Sequence, residues 1–416
     1  MTRGQQVAGQ RPSIRAMGLR CLGGAAVAAM LVSIGMGRSA AQSRSMAPAQ
    51  IRIAFGADPR TTFSVAWQCE TDAPGSVVLY GQSPRLGRTA PATRAAYKWE
   101  TGSVYEAQLT GLRPDREFYY RVGSPNGGWS EVHQSRTAPG AREDFTFTAF
   151  GDQGVSPAAK QNVEHIVAEK PAFHLVLGDL SYANGRQAVW DTWFSQNEPL
   201  TRIIPFMPAV GNHENEKIGD LKIGYASFLA RFSLPAPETR YSFDYSGVRF
   251  ISFNSDDYQN PDQLKWFDDL LARTKQDDTV RWVVVFMHHP LYSSNVRRLN
   301  NTGLIEVMRP RLEAGGVDLV LTGHNHNYER SYALMRDQVT NHSPNRYRRG
   351  GGIVYVVSGG GGKSLYQFVP EQPAITAFRE ATEHYLRVKV DKRGPIVVEA
   401  VRTSDRHVMD RFELRR

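Results

Sequence analysis

The sequence predicts a small β-sandwich followed by a larger α/β domain, and three patterns lead there. From Ile51 to Pro139 short strands alternate apolar and polar residues between turn signals, with no long helical period. From Asp144 onward short, near-continuously apolar strands alternate with helical stretches, as parallel strands buried on both faces do. Five of those later strands end in residues able to ligate a metal ion.

Ahead of the sandwich stands a different segment. Arg11, Arg15 and Arg20 precede an apolar, small-residue run from Cys21 to Gly37, then Ser39-Ala40-Ala41. Basic, apolar, small is the order of an export signal peptide cut after Ala41, so residues 1–41 are expected to leave and the product to be periplasmic or secreted. A membrane anchor is the weaker reading, because the run is shorter than the ~20 apolar residues a spanning helix needs. No Arg-Arg pair marks the twin-arginine route. No other long apolar run exists, so no membrane span is expected in the mature chain.

Loss of this segment also changes the charge. The chain carries a formal +9, and residues 1–41 hold five arginines (Arg3, Arg11, Arg15, Arg20, Arg38) and no acid, which leaves +4. A nucleic-acid partner is therefore not expected from charge, whereas a mild positive balance suits small anionic substrates. With 41% apolar and 22% charged residues, the 416-residue chain has the composition of a globular protein of two or three domains. Cys21 leaves with the signal, so Cys69 is alone and is read as a buried structural thiol.

The sandwich strands are read at Thr62–Gln68, Ser76–Gly81, Tyr105–Leu112 and Glu117–Gly123, and Ala138-Pro139-Gly140-Ala141 reads as a linker. The α/β strands are read at Phe145–Phe150, His174–Leu177, Phe206–Val210, Arg249–Asn254, Trp282–Met287, Leu319–Leu321 and Ile353–Val357. A closing hairpin comes after them, at Tyr385–Val390 and Ile396–Val401. The run Gly359–Gly362 before Lys363-Ser364 imitates the end of a phosphate-binding P-loop. Val357 stands where that motif needs glycine, so a flexible turn after a strand is the better reading.

The chemistry lies in the residues just beyond the strand ends. Gly151-Asp152, Gly178-Asp179, Gly211-Asn212-His213, His288-His289-Pro290 and Gly323-His324-Asn325-His326 each close a strand. The carboxyl ends of strands in an open α/β sheet lie on one edge, where ligand sites are built. Two Asp, one Asn and three His exceed the three protein ligands of a single catalytic zinc. They suit hard-to-borderline ions, and a carboxylate shared by two ions, here Asp179, holds them ~3.5–4 Å apart for phosphoryl chemistry. The glycines are read as letting the backbone turn sharply and approach the ions.

This set resembles the metallophosphoesterase family, whose pattern is Asp, Gly-Asp, Gly-Asn-His, His and Gly-His-x-His. Gly154 stands where many members carry a histidine, and Tyr182 stands three residues after Asp179, as in the Gly-Asp-x-x-Tyr motif of purple acid phosphatases. Gly-Asn-His-Glu at 211–214, Val285, Met287, His288, Pro290 and Tyr292, and Gly-His-Asn-His-Asn-Tyr-Glu-Arg at 323–330 extend the likeness. So does Leu109–Gly123, similar to the fibronectin-type module of those enzymes. The resemblance implies a fibronectin III-like β-sandwich over 42–141 and an α/β four-layer metallophosphoesterase sandwich over 142–416.

It also implies a binuclear centre. Asp152, Asp179, Tyr182 and His326 are expected to bind Fe(III), and Asp179, Asn212, His288 and His324 a divalent ion: iron, zinc or manganese. His213 is expected near the leaving group as general acid or phosphate donor. The implied function is an exported acid phosphatase that hydrolyses phosphate monoesters by attack of metal-activated hydroxide. A phosphodiesterase or nucleotidase on the same scaffold is the near alternative, and a secreted binding protein with a silent metal site the distant one. The sequence departs from the plant-type pattern at Tyr292–Arg298, which holds no histidine. Arg297, Arg298 or the basic loop Arg346–Arg349 are the candidates for phosphate contacts there. His289 is read either as a support to the ligands or as a packed residue.

Overall fold

Strand Phe63–Cys69 forms where alternation is read, but it is buried on both faces. Its apolar residues Phe63, Val65 and Trp67 enter the sandwich core with Val78, Leu109, Phe118 and Val122. Its polar residues face not water but the α/β part: Ser64 donates to the Ser233 carbonyl and Gln68 Nε2 to Asp191 Oδ1 at 3.0 Å. The structure, a computed structural model, describes residues 45–99 and 101–416, and the expected export segment lies outside the described residues. Among the described residues no helix is long and apolar enough to cross a membrane.

Two antiparallel sheets make the sandwich. One orders Ala49–Phe55, Phe63–Cys69, Ser103–Leu109 and Thr93–Arg94. The other orders Arg88–Pro91, Val77–Gly81, Glu117–Ser124 and Gly128–Trp129, with His133–Arg136 also on Glu117–Ser124. Strand Ala49–Phe55 continues the core into the next part, since the ring of Phe55 lies 5.7 Å from Phe173 and 5.5 Å from Phe243. The stretch read as a linker is buried at Ala138 and Pro139 and exposed at Gly140 and Ala141. Ala138 is fully buried, donates to the Pro59 carbonyl at 3.0 Å and accepts from Asp115 N at 3.0 Å.

The α/β part has two seven-stranded mixed sheets. The first runs Phe206–Ala209, His174–Leu177, Phe145–Phe150, His384–Val390, Ile396–Arg402, Val408–Arg415 and Arg346–Arg348. The second runs Tyr241–Tyr245, Val248–Ser252, Trp282–Met287, Leu319–Thr322, Val354–Ser358, Tyr328–Ser331 and Thr376–Glu380. Strand Trp282–Met287 explains the layering by its period of two. Trp282, Val284 and Phe286 join the core between the sheets. Val283, Val285 and Met287 face a second core with Leu270, Leu304, Met308 and Leu312 of helices Pro261–Lys275 and Thr302–Ala314. Phe147 and Phe250 meet edge-on across the sheets at 5.1 Å. On the outer side of the first sheet lie helices Pro157–Glu169 and Gln187–Thr201. Ser156, Asn260 and Asn301 cap the starts of three helices through their side-chain oxygens.

The expected closing hairpin is present, with Val390 opposite Ile396, and it grows into a meander by a third strand, Val408–Arg415. The sequence does not announce that strand, because Asp410 interrupts its apolar face; the buried Arg330 guanidinium neutralises it at 2.6 Å.

Candidate metal centre

The ligand-type residues come from two facing sheets, not from one sheet edge. Asp152, Asp179 and Asn212 come after strands of the first sheet, and His288, His324 and His326 after strands of the second. The loops are stitched across: Gly151 N donates to Ser358 O at 2.8 Å, Gly361 N to Gly151 O at 2.9 Å, and His324 N to Asp152 Oδ2 at 2.7 Å. The backbone strain sits on the ligand-type residues themselves. Asp152, Asp179, Tyr182 and His324 have φ of 60°, 54°, 56° and 68°, a left-handed region costly for residues with a Cβ and concentrated at functional sites. The glycines serve mainly close approach. A Cβ at Gly178 would lie 2.6 Å from His288 Nδ1, at Gly211 2.3 Å from Asp179 Oδ1, and at Gly323 2.6 Å from Asp152 Oδ2.

All seven predicted ligand residues meet, in two groups. In the first, Tyr182 OH lies 2.9 Å from Asp152 Oδ1 and 2.9 Å from His326 Nε2, and Asp152 Oδ1 lies 3.3 Å from His326 Nε2. In the second, His288 Nε2 lies 3.2 Å from Asp179 Oδ2, 3.2 Å from Asn212 Oδ1 and 3.0 Å from His324 Nδ1. Asp152, Asp179 and His288 bring ligand atoms within 4.8 Å of one another and so join the groups. Ligands ~2.1 Å from a cation and at right angles to each other lie ~3.0 Å apart, close to these separations.

The hydrogen bonds behind the histidine ligands leave room for a cation. Nδ1 of His288 lies 2.8 Å from the Leu177 carbonyl and Nδ1 of His326 2.7 Å from the Ser364 carbonyl. A carbonyl only accepts, so both Nδ1 atoms carry hydrogen, and a neutral ring at either position would turn a bare Nε2 lone pair inward. His288 Nε2 then faces the Asp179 carboxylate and the Asn212 amide oxygen, acceptor against acceptor. Such a cluster needs a positive charge at its centre. Without an ion a proton serves: burial opposes charge on His288, but Asp179 outweighs it and holds the imidazole up to about 9. Burial likewise opposes charge on Asp179, and His288 outweighs it, bringing the carboxyl down to about 2. Burial, then the carboxylates of Asp152 and Asp179, push the Tyr182 phenol far above its ordinary range. The donor set therefore fits metal ions. One contact runs against it: Arg298 Nη1 lies 2.8 Å from His324 Nδ1 and also against Nε2 of that ring.

Several residues around the centre carry roles not assigned from sequence. Buried Glu214 accepts from Asp179 N at 2.8 Å, Leu180 N at 2.9 Å and Gly211 N at 2.8 Å, and so ties two ligand loops together. Its place in Gly-Asn-His-Glu is the available signal. Lys363 donates from its backbone to Asp152 O at 3.0 Å and sets its ammonium 4.4 Å from the Tyr182 ring centre. Tyr366 stacks on His326 at 4.0 Å. The turn Gly359–Gly362 closes its strand as expected but is not a flexible one. It is buried, and a Cβ at Gly359 would lie 2.2 Å from Asn325 O and at Gly361 2.4 Å from Gly151 O.

His213 sits beside the centre, its ring 4.3 Å from Tyr182, Nδ1 2.5 Å from Asn184 Oδ1 and Nε2 3.8 Å from Asp179 Oδ2. His289 is held by Ser255, whose Oγ lies 2.8 Å from its backbone N and 3.0 Å from its Nδ1. Its ring lies 4.2 Å from His324. Arg346–Arg348 is instead an edge strand, and Arg349 reaches Asp318, at the amino end of the strand that carries His324 at its carboxyl end. That separation removes the basic loop from the phosphate-contact candidates. A larger cavity, about 1140 Å³, opens at the amino end of Phe145–Phe150, among Phe145, Pro171, Pro205, Tyr245 and Pro395, away from these ligands.

Comparison with known proteins agrees with the geometry. Models of the Purple acid Phosphatase N-terminal domain, the Calcineurin-like phosphoesterase and the Iron/zinc purple acid phosphatase-like protein C match residues 48–137, 145–328 and 352–411. Purple acid phosphatase 18 of Arabidopsis thaliana is 32% identical, over 82% of this chain and 78% of its own length. The chain belongs to the purple acid phosphatase family. As a member it is a phosphoric ester hydrolase of the acid phosphatase type. A further relative, named phosphoenolpyruvate phosphatase, from Allium cepa, is 29% identical over 90% of this chain and 83% of that one. The solved structure of purple acid phosphatase PPD1 from yellow lupin (Lupinus luteus) seeds superposes with a TM-score of 0.83 at 25% identity, covering 90% of this chain and 75% of that one.

Proposed function

We propose that the protein is an exported phosphomonoesterase with a binuclear centre of Fe(III) and a divalent iron, zinc or manganese ion. Asp152, Asp179, Tyr182 and His326 hold the ferric ion, and Asp179, Asn212, His288 and His324 hold the other, with Asp179 shared. When bound, the ions polarise the ester oxygens and lower the pKa of a water so that a nucleophile exists near neutral pH. Three anionic side chains offset part of that charge. Because burial and the Asp152 and Asp179 carboxylates push its phenol so far up, Tyr182 would lose its proton to solvent only where a highly charged cation takes that proton's place. His213 stands beside Asp179 and is the protein's candidate for donor to the leaving oxygen or for contact with the phosphate. Glu214 keeps the Asp179 and Asn212 loops in register.

The observation that carries this reading is the inward-facing Nε2 of His288 among acceptor atoms. The test is metal analysis of the purified protein, its visible spectrum, and turnover of a chromogenic phosphomonoester against the matching diester. The expected result is iron plus a second metal, a tyrosinate charge-transfer band, and faster monoester hydrolysis. A higher rate on the diester moves the assignment to a phosphodiesterase, and absence of hydrolysis on both refutes it.

A further inference from the structure

Beside the centre lies a pocket of about 340 Å³ lined by His289, Pro290, Arg298, Leu299 and the ligand-type His324. Its volume is at the lower end for a small-molecule site. The loop that makes its outer wall is built, not loose: Ser293 N donates to Asn300 Oδ1 at 2.8 Å, Arg297 N to Asn295 Oδ1 at 2.8 Å, and Asn301 N to Leu291 O at 3.0 Å. Val296 N donates to Gln367 O at 3.0 Å, which pins the loop to the segment carrying Tyr366. Arg298 is half-buried on this loop, and among the described residues no carboxylate lies within ion-pair distance of it. Leaving a partly buried guanidinium without an anion is unfavourable unless a ligand supplies one.

His289 forms the wall opposite the loop. Ser255 Oγ accepts from the His289 backbone and lies 3.0 Å from Nδ1, which holds the ring in the pocket wall. Leu299, 62% exposed, offers an apolar wall. We propose that this pocket receives the leaving group and that Arg298 selects substrates whose leaving alcohol bears a second anionic group, a carboxylate or a phosphate. The lone pair of His324 that Arg298 leans on is one an ion takes, so in the loaded centre the guanidinium is left to face the pocket. This inference rests on the phosphomonoesterase reading above and names its substrate class.

The experiment compares phenyl phosphate with 3- and 4-carboxyphenyl phosphate and with benzene-1,4-diyl bisphosphate. Wild-type protein is expected to favour at least one anion-bearing ester by about tenfold or more in kcat/KM, the size of a hydrogen bond to a charged group. Arg298→Gln lowers that preference at least about fivefold, and Arg298→Lys restores part of it, because a charge remains without the planar fork. The carboxylate and bisphosphate arms tell the two anions apart. An unchanged preference in Arg298→Gln, or none in wild type, overturns the inference while leaving the phosphomonoesterase reading intact. If no ester turns over, that reading fails, and calorimetric affinity for the same esters decides this one: equal affinity of wild type and Arg298→Gln for the anion-bearing esters overturns it.

Discussion

At the residue scale, the centre works because each ligand is held from behind. His288 and His326 spend Nδ1 on carbonyls, so their inward nitrogens are fixed in place and basic. Removing Asp179 takes away the shared carboxylate, and Asp179→Ala is expected to weaken metal retention and the rate by at least about a hundredfold, more than loss of an outer hydrogen-bond partner. Metal content after gel filtration and kcat/KM measure this. Tyr182→Phe is expected to remove the visible band first. The metal-free protein has its own pH signature. His288 is raised to about 9 and Asp179 brought down to about 2, so the stability from their pairing is fully present between the unfolded carboxyl pKa of ~3.9 and the unfolded imidazole pKa of ~6.5, and is lost as pH rises through 9 or falls through 2. An entering ion displaces that proton, so metal affinity is expected to climb with pH up to about 9. Calorimetric titration at a series of pH values, with proton release counted from two buffers, checks both signs.

At the scale of elements, the strands place the ligands and the loops strain to aim them. The motif Gly-Asp-x-x-Tyr is legible in the sequence, but not that Asp179 and Tyr182 both take left-handed φ while Glu214 commits two hydrogen bonds to their loop and a third to that of Asn212. Glu214→Ala strands three buried N–H groups, and a loss of about 3 kcal/mol in unfolding free energy is expected by denaturant titration. Apolar strands such as Trp282–Met287 are legible because both faces are buried. Val408–Arg415 is not, since Asp410 looks like a surface residue until Arg330 and Tyr328 are seen at 2.6 Å and 2.7 Å. Asp410→Ala leaves the Arg330 charge buried and alone, at a cost of about 3 kcal/mol or more. Pairing it with Arg330→Met is expected to recover much of that loss, measured by the same titration.

At the scale of the whole molecule, the sandwich and the α/β part share a core. The alternating pattern of Phe63–Cys69 marks the strand but suggests a wet outer face. That face instead meets Ser233 and Asp191, contacts more than a hundred residues away in sequence that no local period encodes. The same holds for the site. The residue types and their spacing announce a metal centre and Arg298 beside it, whereas the support from Glu214 and the packed glycine turn requires three-dimensional neighbours. The claim at this scale is that two sheets in this arrangement bring Asp152, Asp179, Tyr182, Asn212, His288, His324 and His326 around a pair of ions. Metal analysis of the folded, purified protein with its absorption spectrum tests that most directly. About two metal ions per chain are predicted, one of them iron, with a tyrosinate band that Tyr182→Phe abolishes. A folded protein that takes up no transition metal, or one whose uptake and colour are unchanged by Asp179→Ala and Tyr182→Phe, contradicts the claim.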